Sequence, residues 1–347
     1  MTSLSSVRVV APNLKRRLSG VTSTIVALVP IMANRGVVAT GPGLPDDVPH
    51  IAVSAATLMP RDRWRVWHAR RNTEMLAGLF LRHVLRRKYK LLFTSAAQRA
   101  HSGYTRWLIR RMDALIATST MAASYLEREP TVILHGIDID RFSPPPSKKE
   151  AKRELGLPED DIFLGCFGRV RENKGTDLFV DLLISLCKAD RRVRGAILGR
   201  ATQEHQEFQS KLEAKIRNAG LQHRIRFLGE VDNDDVPRWY KALDIFIAPQ
   251  RWEGFGLTPL EAMGCGVPVI AAKVGAFEEI VQEGVTGHLV EIEDLPAMER
   301  HAKAMLSDTE ALAAMGVASR AHVEAKFPLT REAAQIMEVY DRLLADI

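Results

Sequence analysis

The sequence is poor in the features that mark secreted, membrane-spanning and dinucleotide-binding proteins. Its 347 residues include three cysteines, whose spacings match no zinc or redox motif, so we expect buried, reduced thiols in a cytoplasmic protein. No apolar run approaches the roughly 18 residues of a membrane-spanning helix, and the N-terminal segment lacks the charge order of a signal peptide. No G-x-G-x-x-G motif occurs, which argues against a plain dehydrogenase.

Acidic residues are scarce in one segment, residues 61–111. It contains fourteen Lys or Arg against two acidic residues, a net charge of +12, so the rest of the chain must carry −6 of the total of +6. A solvated basic face would account for this asymmetry. A surface for an anion would account for it too, and that anion could be phospholipid, a phosphorylated acceptor or nucleic acid. Five aromatic residues that could stack on bases lie among the cations: Trp64, Trp67, Tyr89, Tyr104 and Trp107.

Apolar strands alternate with helical segments along the chain, and its length suggests two domains. Beyond a proline-rich linker at 143–150, short apolar runs such as IFLGCFG, VRGAILG, DIFIAP and VPVIAA are separated by amphipathic segments. This alternation predicts α/β domains, each with a parallel sheet covered by helices on both faces. Ligands of such sheets bind beyond the carboxyl ends of the strands. The first half is less regular, with strands expected at 7–10, 37–39, 51–53 and 90–94 and a basic helical tract at 64–87.

The most informative stretch is RWEGFGLTPLEAMGCGVPVI, residues 251–270, which follows an expected strand. Its purely structural interpretation is a capping box, with Thr258 as the N-cap and Glu261 reaching back to a backbone N–H. That interpretation leaves Glu253 and the glycines on both sides of Phe255 without a reason. A glycine-flanked loop that enters a helix presents N–H groups to phosphate, and carboxylates on either side can hold sugar hydroxyls. A diphosphate lying between two sugars would need these groups in this order.

The two glutamates carry a resemblance to a known family. Glu253 and Glu261, within EGFGLTPLEAMGCGVPVIA, resemble the E-x7-E signature of retaining glycosyltransferases of the GT-B fold, the group-1 (family 4) class. The resemblance implies that Glu253 acts on the donor sugar and that Glu261 binds the nucleotide ribose. It also implies donor contacts from the residues between them, of which the last three should meet phosphate through the backbone: Phe255, Gly256, Leu257 and Thr258.

A second loop, FGRVRENKG, resembles the G-R…K-G loop of the same family. The match places Gly168 and Arg169 at its start and Lys174 near its end. The resemblance implies that Gly168 lies at the donor and that Arg169 and Lys174 hold the diphosphate and stabilise the departing nucleotide. Two cations can stabilise the charge that develops on the leaving phosphate without a metal ion.

Two further segments resemble the family. LHGIDIDRF, residues 134–142, is similar to its N-G-V-D-x-x-x-F segment, with His135 in place of the usual Asn. VGAFEEIVQEGVTGHLV, residues 274–290, is similar to its glycine-rich stretch near the donor sugar, and Gly275 matches the second glycine of that stretch. The resemblance covers nearly the whole chain and is strongest from 134 to 290.

The first domain departs from the family pattern. A glycine-rich loop that faces the diphosphate is represented by Ser19-Gly20-Val21, with a single glycine where two are common. The family often has a sugar-contacting histidine where KLLFTSAAQ places Ser95 or Ala96. We therefore consider His68 and His101 as its replacements in contacting the acceptor or donor sugar.

The resemblance implies an architecture of two Rossmann-like βαβ domains facing a central cleft. The acceptor-side domain would comprise residues 1–143 and 328–347, and the nucleotide-sugar domain residues 144–327. The final amphipathic helix would cross back to the first domain, although a place in the second domain is the simpler alternative for it.

Within the family, WHARRNTEMLAG and FTSAAQR most resemble lipopolysaccharide-core mannosyltransferases of Gram-negative bacteria. This implies transfer from GDP-mannose to a Kdo-containing, lipid-linked acceptor with retained anomeric configuration, without a metal or other cofactor. The basic segment suits an anionic acceptor at the cytoplasmic face of the inner membrane, so we expect peripheral attachment there. A UDP-hexose donor and a nucleotide-sugar epimerase remain alternatives. Nucleic acid is not an expected partner, because it would leave the phosphate loops of the second domain unexplained.

Overall fold

The computed structural model describes residues 4–15 and 20–345, and the chain divides into two compact units. The first unit comprises Met1–Gly136 with Leu329–Ile347, and the second comprises Ile137–Pro328. The second unit thus begins seven residues before the expected start at residue 144. In the part of the chain that is described, no helix is both long and apolar enough to cross a membrane.

The first unit alternates short strands with helices, as the apolar pattern predicts. Its elements before Gly136 are β1 (Val9–Pro12), α1 (Gly20–Met32), β2 (Val37–Thr40), β3 (His50–Ile51), α2 (Val53–Thr57), β4 (Arg65–Ala69), α3 (Asn72–His83), β5 (Tyr89–Ser95), α4 (Gly103–Ile109), β6 (Ala114–Ala117), α5 (Thr120–Ser124) and β7 (Thr131–Val132).

These strands form one parallel sheet in the order β3-β2-β1-β4-β5-β6-β7. Successive side chains of a strand point to opposite faces, so each central strand serves two cores. In β1, Val9 and Ala11 join the core that contains α1, while Val10 joins the core that contains α3 and α4. The sheet is therefore covered on both faces.

The second unit has the same organisation. Its elements are α6 (Lys148–Glu154), β8 (Ile162–Phe167), α7 (Thr176–Ala189), β9 (Val193–Leu198), α8 (Gln206–Asn218), β10 (Ile225–Gly229), α9 (Val236–Lys241), β11 (Ile245–Ala248), α10 (Thr258–Gly264), β12 (Val269–Ala272), α11 (Phe277–Ile280), β13 (Gly287–Val290), α12 (Leu295–Ser307) and α13 (Thr309–Lys326). The strands form a parallel sheet in the order β10-β9-β8-β11-β12-β13.

The final helix, α14 (Leu329–Ala345), belongs to the first unit, as the family resemblance implied. It packs against α1 and buries one face in their shared core, including Ile336, Met337 and Tyr340. The alternative that places this helix in the second domain is wrong.

The expected basic helix over 64–87 is wrong in its first third. Arg65–Ala69 is the strand β4, in the middle of the sheet between β1 and β5, and the helix begins only at Asn72. Every residue of β4 is buried, including Arg65, whose guanidinium donates to the carbonyl oxygen of Val7. The two neighbouring strands supply the backbone hydrogen bonds that make this segment a strand, and a local count of cations cannot reveal them.

Smaller differences concern the ends of elements. The first strand covers residues 9–12 rather than 7–10, and Val53 begins α2 instead of ending a strand. The linker is shorter than expected, because Lys148 already begins α6. The segment AFEEIVQEG, whose pattern predicts a helix, forms only the single turn of α11.

Candidate active site

The loops that carry the expected donor residues lie at one edge of the second sheet, beyond the carboxyl ends of β8, β11 and β12. The strand order reverses beside β8, because β9 and β10 extend on one side of it and β11 to β13 on the other. In open parallel sheets, such a reversal separates the loops on either side and leaves a crevice in which ligands bind. The loops 168–175 and 249–257 flank this point.

The loop after β8 is held close to the end of β11. Gly168 and Arg169 directly follow the strand and are both exposed. At the other end of the loop, Gly175 has a φ of +67°, and a Cβ there would lie 2.0 Å from the carbonyl oxygen of Pro249. Only glycine permits both this conformation and this approach. The loop therefore brings Lys174 against the residues that follow β11.

Lys174 and Glu253 form an ion pair across the two loops, and both side chains are mostly buried. The second oxygen of the Glu253 carboxylate accepts a hydrogen bond from the N–H of Gly254 at 3.0 Å. The structure thus brings together two residues that the sequence assigned to different parts of the donor. A buried charge without a partner is costly, so the pair stabilises both side chains in the absence of ligand.

The glycines around Phe255 allow three loops to pack together. Gly256 has a φ of +88°, and a Cβ there would meet the ring of Phe277 at 2.3 Å and Cγ of Glu253 at 2.9 Å. The carbonyl oxygen of Phe255 accepts a hydrogen bond from the N–H of Ala276 at 3.2 Å, which joins this loop to the one after β12. Positions 256 and 275, both expected at the donor, are therefore next to Glu253.

The expected capping box at the start of α10 is wrong. Leu257 is the N-cap, Thr258 is the first helical residue, and no side chain caps the helix. The carboxylate of Glu261 instead accepts a hydrogen bond from the hydroxyl of Tyr240 at 2.8 Å. Burial raises the pKa of Glu261 above its usual range, although the Tyr240 hydroxyl and the charge of Arg141 oppose this shift. The capping interpretation therefore does not explain this glutamate, and a ligand-binding role for it remains a prediction.

Two residues that hold the site together had no signal in the sequence. Arg251 makes a bidentate ion pair with Asp177 at 2.7 and 2.8 Å, and it also donates to the carbonyl oxygen of Glu172 at 2.6 Å. These bonds fix the loop before Glu253 to the start of α7. Tyr240 is completely buried among aromatic rings, and only the fold brings its hydroxyl to Glu261.

His68 lies in β4 of the first unit and is completely buried. Its two ring nitrogens are 2.6 Å from the hydroxyls of Tyr340 and Thr94. Burial, together with the nearby charge of Arg70, lowers the pKa of His68 well below its usual range, so the ring is neutral. With both nitrogens occupied by protein groups, this histidine packs the final helix against the sheet and offers no ring nitrogen to a sugar.

The other expected residues of the first unit lie in loops or at element ends. His101 is partly exposed, immediately before the N-cap of α4, and burial lowers its pKa. Gly20 is exposed and begins α1, whereas Ser19 lies outside the described residues. Ser95 ends β5 as a buried residue, and Ala96 after it is exposed.

His135, which replaces the asparagine of the family, is held by the final helix. Its Nδ1 is 2.7 Å from a carboxylate oxygen of Glu332, and the second oxygen accepts from the N–H of Gly136 at 2.8 Å. His135 and Glu332 line a small cavity at the carboxyl ends of β4 to β7, together with Arg70 and Thr118. Sequence reasoning did not find this polar cluster, because its members lie on four separate segments of the chain.

The strand order of the first sheet reverses between β1 and β4, and a buried polar network lies there. Arg71 pairs with the fully buried Glu74 at 2.7 Å and also donates to the side chains of Asn13 and Thr22. The carboxylate of Glu74 accepts further bonds from the N–H groups that follow both strands. This network fixes the loop after β1 to the start of α3, at the edge where the first unit would present its ligand loops.

No group of three or more His, Cys, Asp and Glu side chains that could hold a metal ion occurs within residues 4–15 and 20–345. The expectation that the protein acts without a metal stays a prediction.

The two sheets and their loops define a class of protein. HepE from Anabaena in complex with UDP shares the fold with a TM-score of 0.85 and 20% sequence identity, over 96% of this chain and all of the other. Two Rossmann-like units of this kind constitute the GT-B fold of glycosyltransferases.

The family follows from sequence matches. Residues 147–322 match the family described as "Glycosyl transferases group 1". The lipopolysaccharide core biosynthesis mannosyltransferase LpsB of Rhizobium meliloti is 51% identical over 99% of this chain and its own full length. The enzyme of the same description from Rhizobium leguminosarum bv. viciae, LpcC, is 48% identical over all of this chain and 99% of its own length. The chain therefore belongs to the group-1 glycosyltransferases.

Proposed function

We propose that this protein transfers mannose from GDP-mannose to the Kdo-containing inner core of a lipopolysaccharide precursor, with retained anomeric configuration. The observation that carries the proposal is the similarity to two relatives with this core mannosyltransferase description, at 51% and 48% identity over essentially complete chains. The site is compatible with such a transfer, because cations, carboxylates and glycine loops meet at the strand-order reversal of the second sheet.

The ion pair between Lys174 and Glu253 suggests how the donor is recognised. In the absence of ligand, each charge is satisfied by the other. A diphosphate that enters the crevice offers Lys174 a second anion, and the exposed Arg169 lies on the same loop. Glu253 then shares its cation with phosphate and can accept hydrogen bonds from sugar hydroxyls. Two cations on the β-phosphate stabilise the negative charge that develops as the sugar leaves, which supports transfer without a metal.

The remaining donor contacts follow the loop in order. Gly168 precedes Arg169, and the backbone of Gly256, Leu257 and Thr258 faces phosphate where α10 begins. Glu261 binds the ribose through its free carboxylate oxygen, because Tyr240 uses the other. The side chain of Phe255 is buried and its carbonyl oxygen accepts from the N–H of Ala276, so this residue holds the loop in place.

The first unit supplies the acceptor side in this proposal. Its segment 61–111 carries a net charge of +12, which suits an acceptor that bears carboxylates and phosphates. The same charge attracts the anionic cytoplasmic leaflet of the inner membrane, by about 1 kcal/mol for each Lys or Arg near the surface. We therefore propose peripheral attachment there, with the partly exposed His101 as the remaining histidine candidate for a sugar contact.

A UDP-hexose donor is the second candidate. It is favoured by the fold similarity to HepE, which was solved with UDP. The residues that would read the base belong to none of the matched motifs, so those motifs do not distinguish the two nucleotides.

Nucleotide protection tests the donor. The purified protein is heated with GDP, GDP-mannose, UDP or UDP-glucose, with EDTA present throughout. A ligand at 100 times its dissociation constant stabilises the folded protein by about 2.7 kcal/mol, which shifts the midpoint measurably. We expect protection by the GDP compounds, followed by mannose transfer to a Kdo-containing core and an NMR spectrum that shows the retained anomer.

Each outcome separates the candidates. Protection by UDP compounds alone would replace mannose with a UDP-linked hexose. Protection that is absent with EDTA and appears only when a divalent metal replaces the EDTA would refute metal independence. Conversion of the donor to an epimer without an acceptor would replace transfer with epimerisation.

A further inference from the structure

The outward face of α3 carries an apolar stripe that the protein core does not use. Leu76, Phe80 and Val84 are 46%, 51% and 62% exposed and follow one another at intervals of four residues. The opposite face of the same helix already supplies the core, through Met75 and Leu79. A surface helix normally has polar residues on its outer face, so a second apolar stripe indicates a binding surface.

The neighbouring helix α4 exposes two aromatic rings. Tyr104 and Trp107 are 50% and 43% exposed, and their rings are stacked with centroids 6.3 Å apart. The guanidinium of Arg111 lies 4.0 Å from the centroid of the Trp107 ring, so a cation covers one side of this pair. Aromatic rings with an apolar body and a polar edge are suited to a membrane interface.

The two helices present one continuous surface. Both pack on the same face of the first sheet, and Asn72 at the start of α3 donates to Thr105 of α4 at 2.8 Å. At the other end, Arg82 of α3 pairs with Asp113 at 2.6 Å and donates to the carbonyl oxygen of Arg111. We call the exposed apolar residues of this surface the helix patch: Leu76, Phe80, Val84, Tyr104 and Trp107.

Cations accompany the helix patch. Arg106 and Arg110 of the α4 segment are exposed, and they share a single carboxylate, Glu127. Arg86, which follows α3, and Arg99, which precedes α4, are also exposed. The surplus of positive charge identifies the partner as anionic.

The combination of charge with aliphatic side chains distinguishes a membrane from nucleic acid. Aromatic rings and cations could bind single-stranded nucleic acid by stacking and by phosphate contacts. The side chains of Leu76 and Val84 can neither stack on bases nor contact phosphates. They would remain exposed to water beside the bound nucleic acid. In a bilayer interface the same residues enter the acyl region while long basic side chains reach the anionic headgroups.

We propose that the helix patch is the surface by which this protein inserts shallowly into an anionic membrane. The inference deepens the proposed function, since it rests on a lipid-linked acceptor and names the residues that reach the leaflet. The patch then has two parts: a charge-dependent attraction by the surrounding arginines and an apolar insertion by α3 and α4.

Flotation with vesicles tests the patch without any donor or acceptor. Wild-type protein is compared with the double variant Phe80→Ser/Trp107→Ser on vesicles of phosphatidylethanolamine with phosphatidylglycerol, and on vesicles of phosphatidylcholine alone. The control is Ile31→Ser/Val317→Ser, which removes two exposed apolar side chains from α1, on the other face of the sheet, and from α13 of the second unit. Thermal midpoints verify that both variants fold, as expected for exposed positions.

We expect wild type and control to float with the anionic vesicles and to dissociate partly in high salt. The Phe80→Ser/Trp107→Ser variant should partition at least about tenfold less, because each lost ring removes apolar area from the interface. Its transfer of sugar to a delipidated, water-soluble core acceptor should equal that of wild type. Its transfer to a lipid-linked acceptor in vesicles should fall.

Three results would overturn the proposal. The first is equal flotation of the double variant and the control, and the second is no binding of wild type to anionic vesicles. The third is that wild type binds an anionic oligonucleotide more strongly than the vesicles and that this binding depends on Trp107 alone. That result would identify a nucleic-acid site. Failure of the proposed function would give a different result. The protein would still float with anionic vesicles, but nucleotides would not protect it and it would not transfer sugar to the soluble acceptor.

Discussion

Removal of the Tyr240 hydroxyl gives the sharpest test of the donor site. Tyr240→Phe takes away the donor that holds Glu261 at 2.8 Å while leaving the buried ring in its aromatic cluster. The matched control is Tyr89→Phe in the first unit, which removes an equally buried hydroxyl whose acceptor is the neutral carbonyl oxygen of Ala56 at 2.9 Å. The two substitutions are chemically identical and differ in the charge of the acceptor.

The expected magnitudes follow from that difference. A hydrogen bond to a charged group contributes about 1.5–3 kcal/mol to stability, and one between neutral groups about 0.5–1.5 kcal/mol. Suppose that the nucleotide-bound state of Tyr240→Phe loses half of the energy of the hydrogen bond to the charged group. The dissociation constant of the donor nucleotide then rises about 4- to 13-fold. Tyr89→Phe should leave that constant unchanged, because Tyr89 lies in the other unit.

The pH dependence supplies a second signature. Burial raises the folded-state pKa of Glu261, and the Tyr240 hydroxyl partly opposes this shift. Stability due to a raised carboxyl pKa is fully present below the unfolded pKa and is lost as the pH rises through the folded pKa. Tyr240→Phe raises the folded pKa further, so its deficit relative to wild type should grow with rising pH across this window. The deficit should be smallest at low pH, where the Glu261 carboxyl is protonated in the folded state of both proteins.

Chemical denaturation over a pH series and nucleotide titration at neutral pH measure both quantities. Equal stability deficits of Tyr240→Phe and Tyr89→Phe at every pH, together with equal nucleotide affinity, would contradict this prediction. That result would mean that the Tyr240 hydroxyl does not position the Glu261 carboxylate.

Three further predictions concern the loops around this carboxylate. Lys174→Met and Glu253→Gln should be non-additive by about 0.5–3 kcal/mol in a double-mutant cycle of unfolding free energies, because each leaves the other charge unpaired; additive values would contradict the ion pair. Gly256→Ala should lower the thermal midpoint, because left-handed strain costs about 1–2 kcal/mol and the added Cβ would overlap the Phe277 ring. Its control, Gly103→Ala, should leave the midpoint unchanged, because the space around that Cβ is open. Arg251→Lys should weaken donor nucleotide binding severalfold in titration, because lysine cannot reproduce the bidentate contact with Asp177; unchanged affinity would show that this contact does not position the loop.

Much of the donor side was predictable because it is local in sequence. The loops around Lys174 and Glu253 follow strands that are continuous apolar runs, and parallel topology then places those loops at one edge of the sheet. The contact between Lys174 and Glu253 was not predictable, since it depends on how closely Gly175 lets one loop approach β11. Glu261 shows the limit of a local rule: its spacing from Thr258 suits a capping box, but the helix begins one residue earlier than that rule needs.

The first unit was harder to predict because its polar groups act across long separations. The residues near His68 in the sequence are mostly cations and indicate a histidine that is available to a ligand. Its hydrogen-bond partners, Thr94 and Tyr340, lie 26 and 272 residues away. The exposed apolar stripe on α3 was not predicted either, but for a different reason. An apolar residue on a helix reads as core until the position of the sheet shows which face is already covered.

The sequence by itself determined the parallel α/β class, the order of the donor loops and the excess of positive charge in one segment. Each of these is set by residues that are near one another in the chain. Only the tertiary structure decided that Arg65–Ala69 is a central strand, that His68 is neutral and enclosed, and that Tyr240 holds Glu261. These features depend on neighbours that the chain brings together by folding, because burial and hydrogen-bond partners are properties of the packed molecule and not of a local pattern.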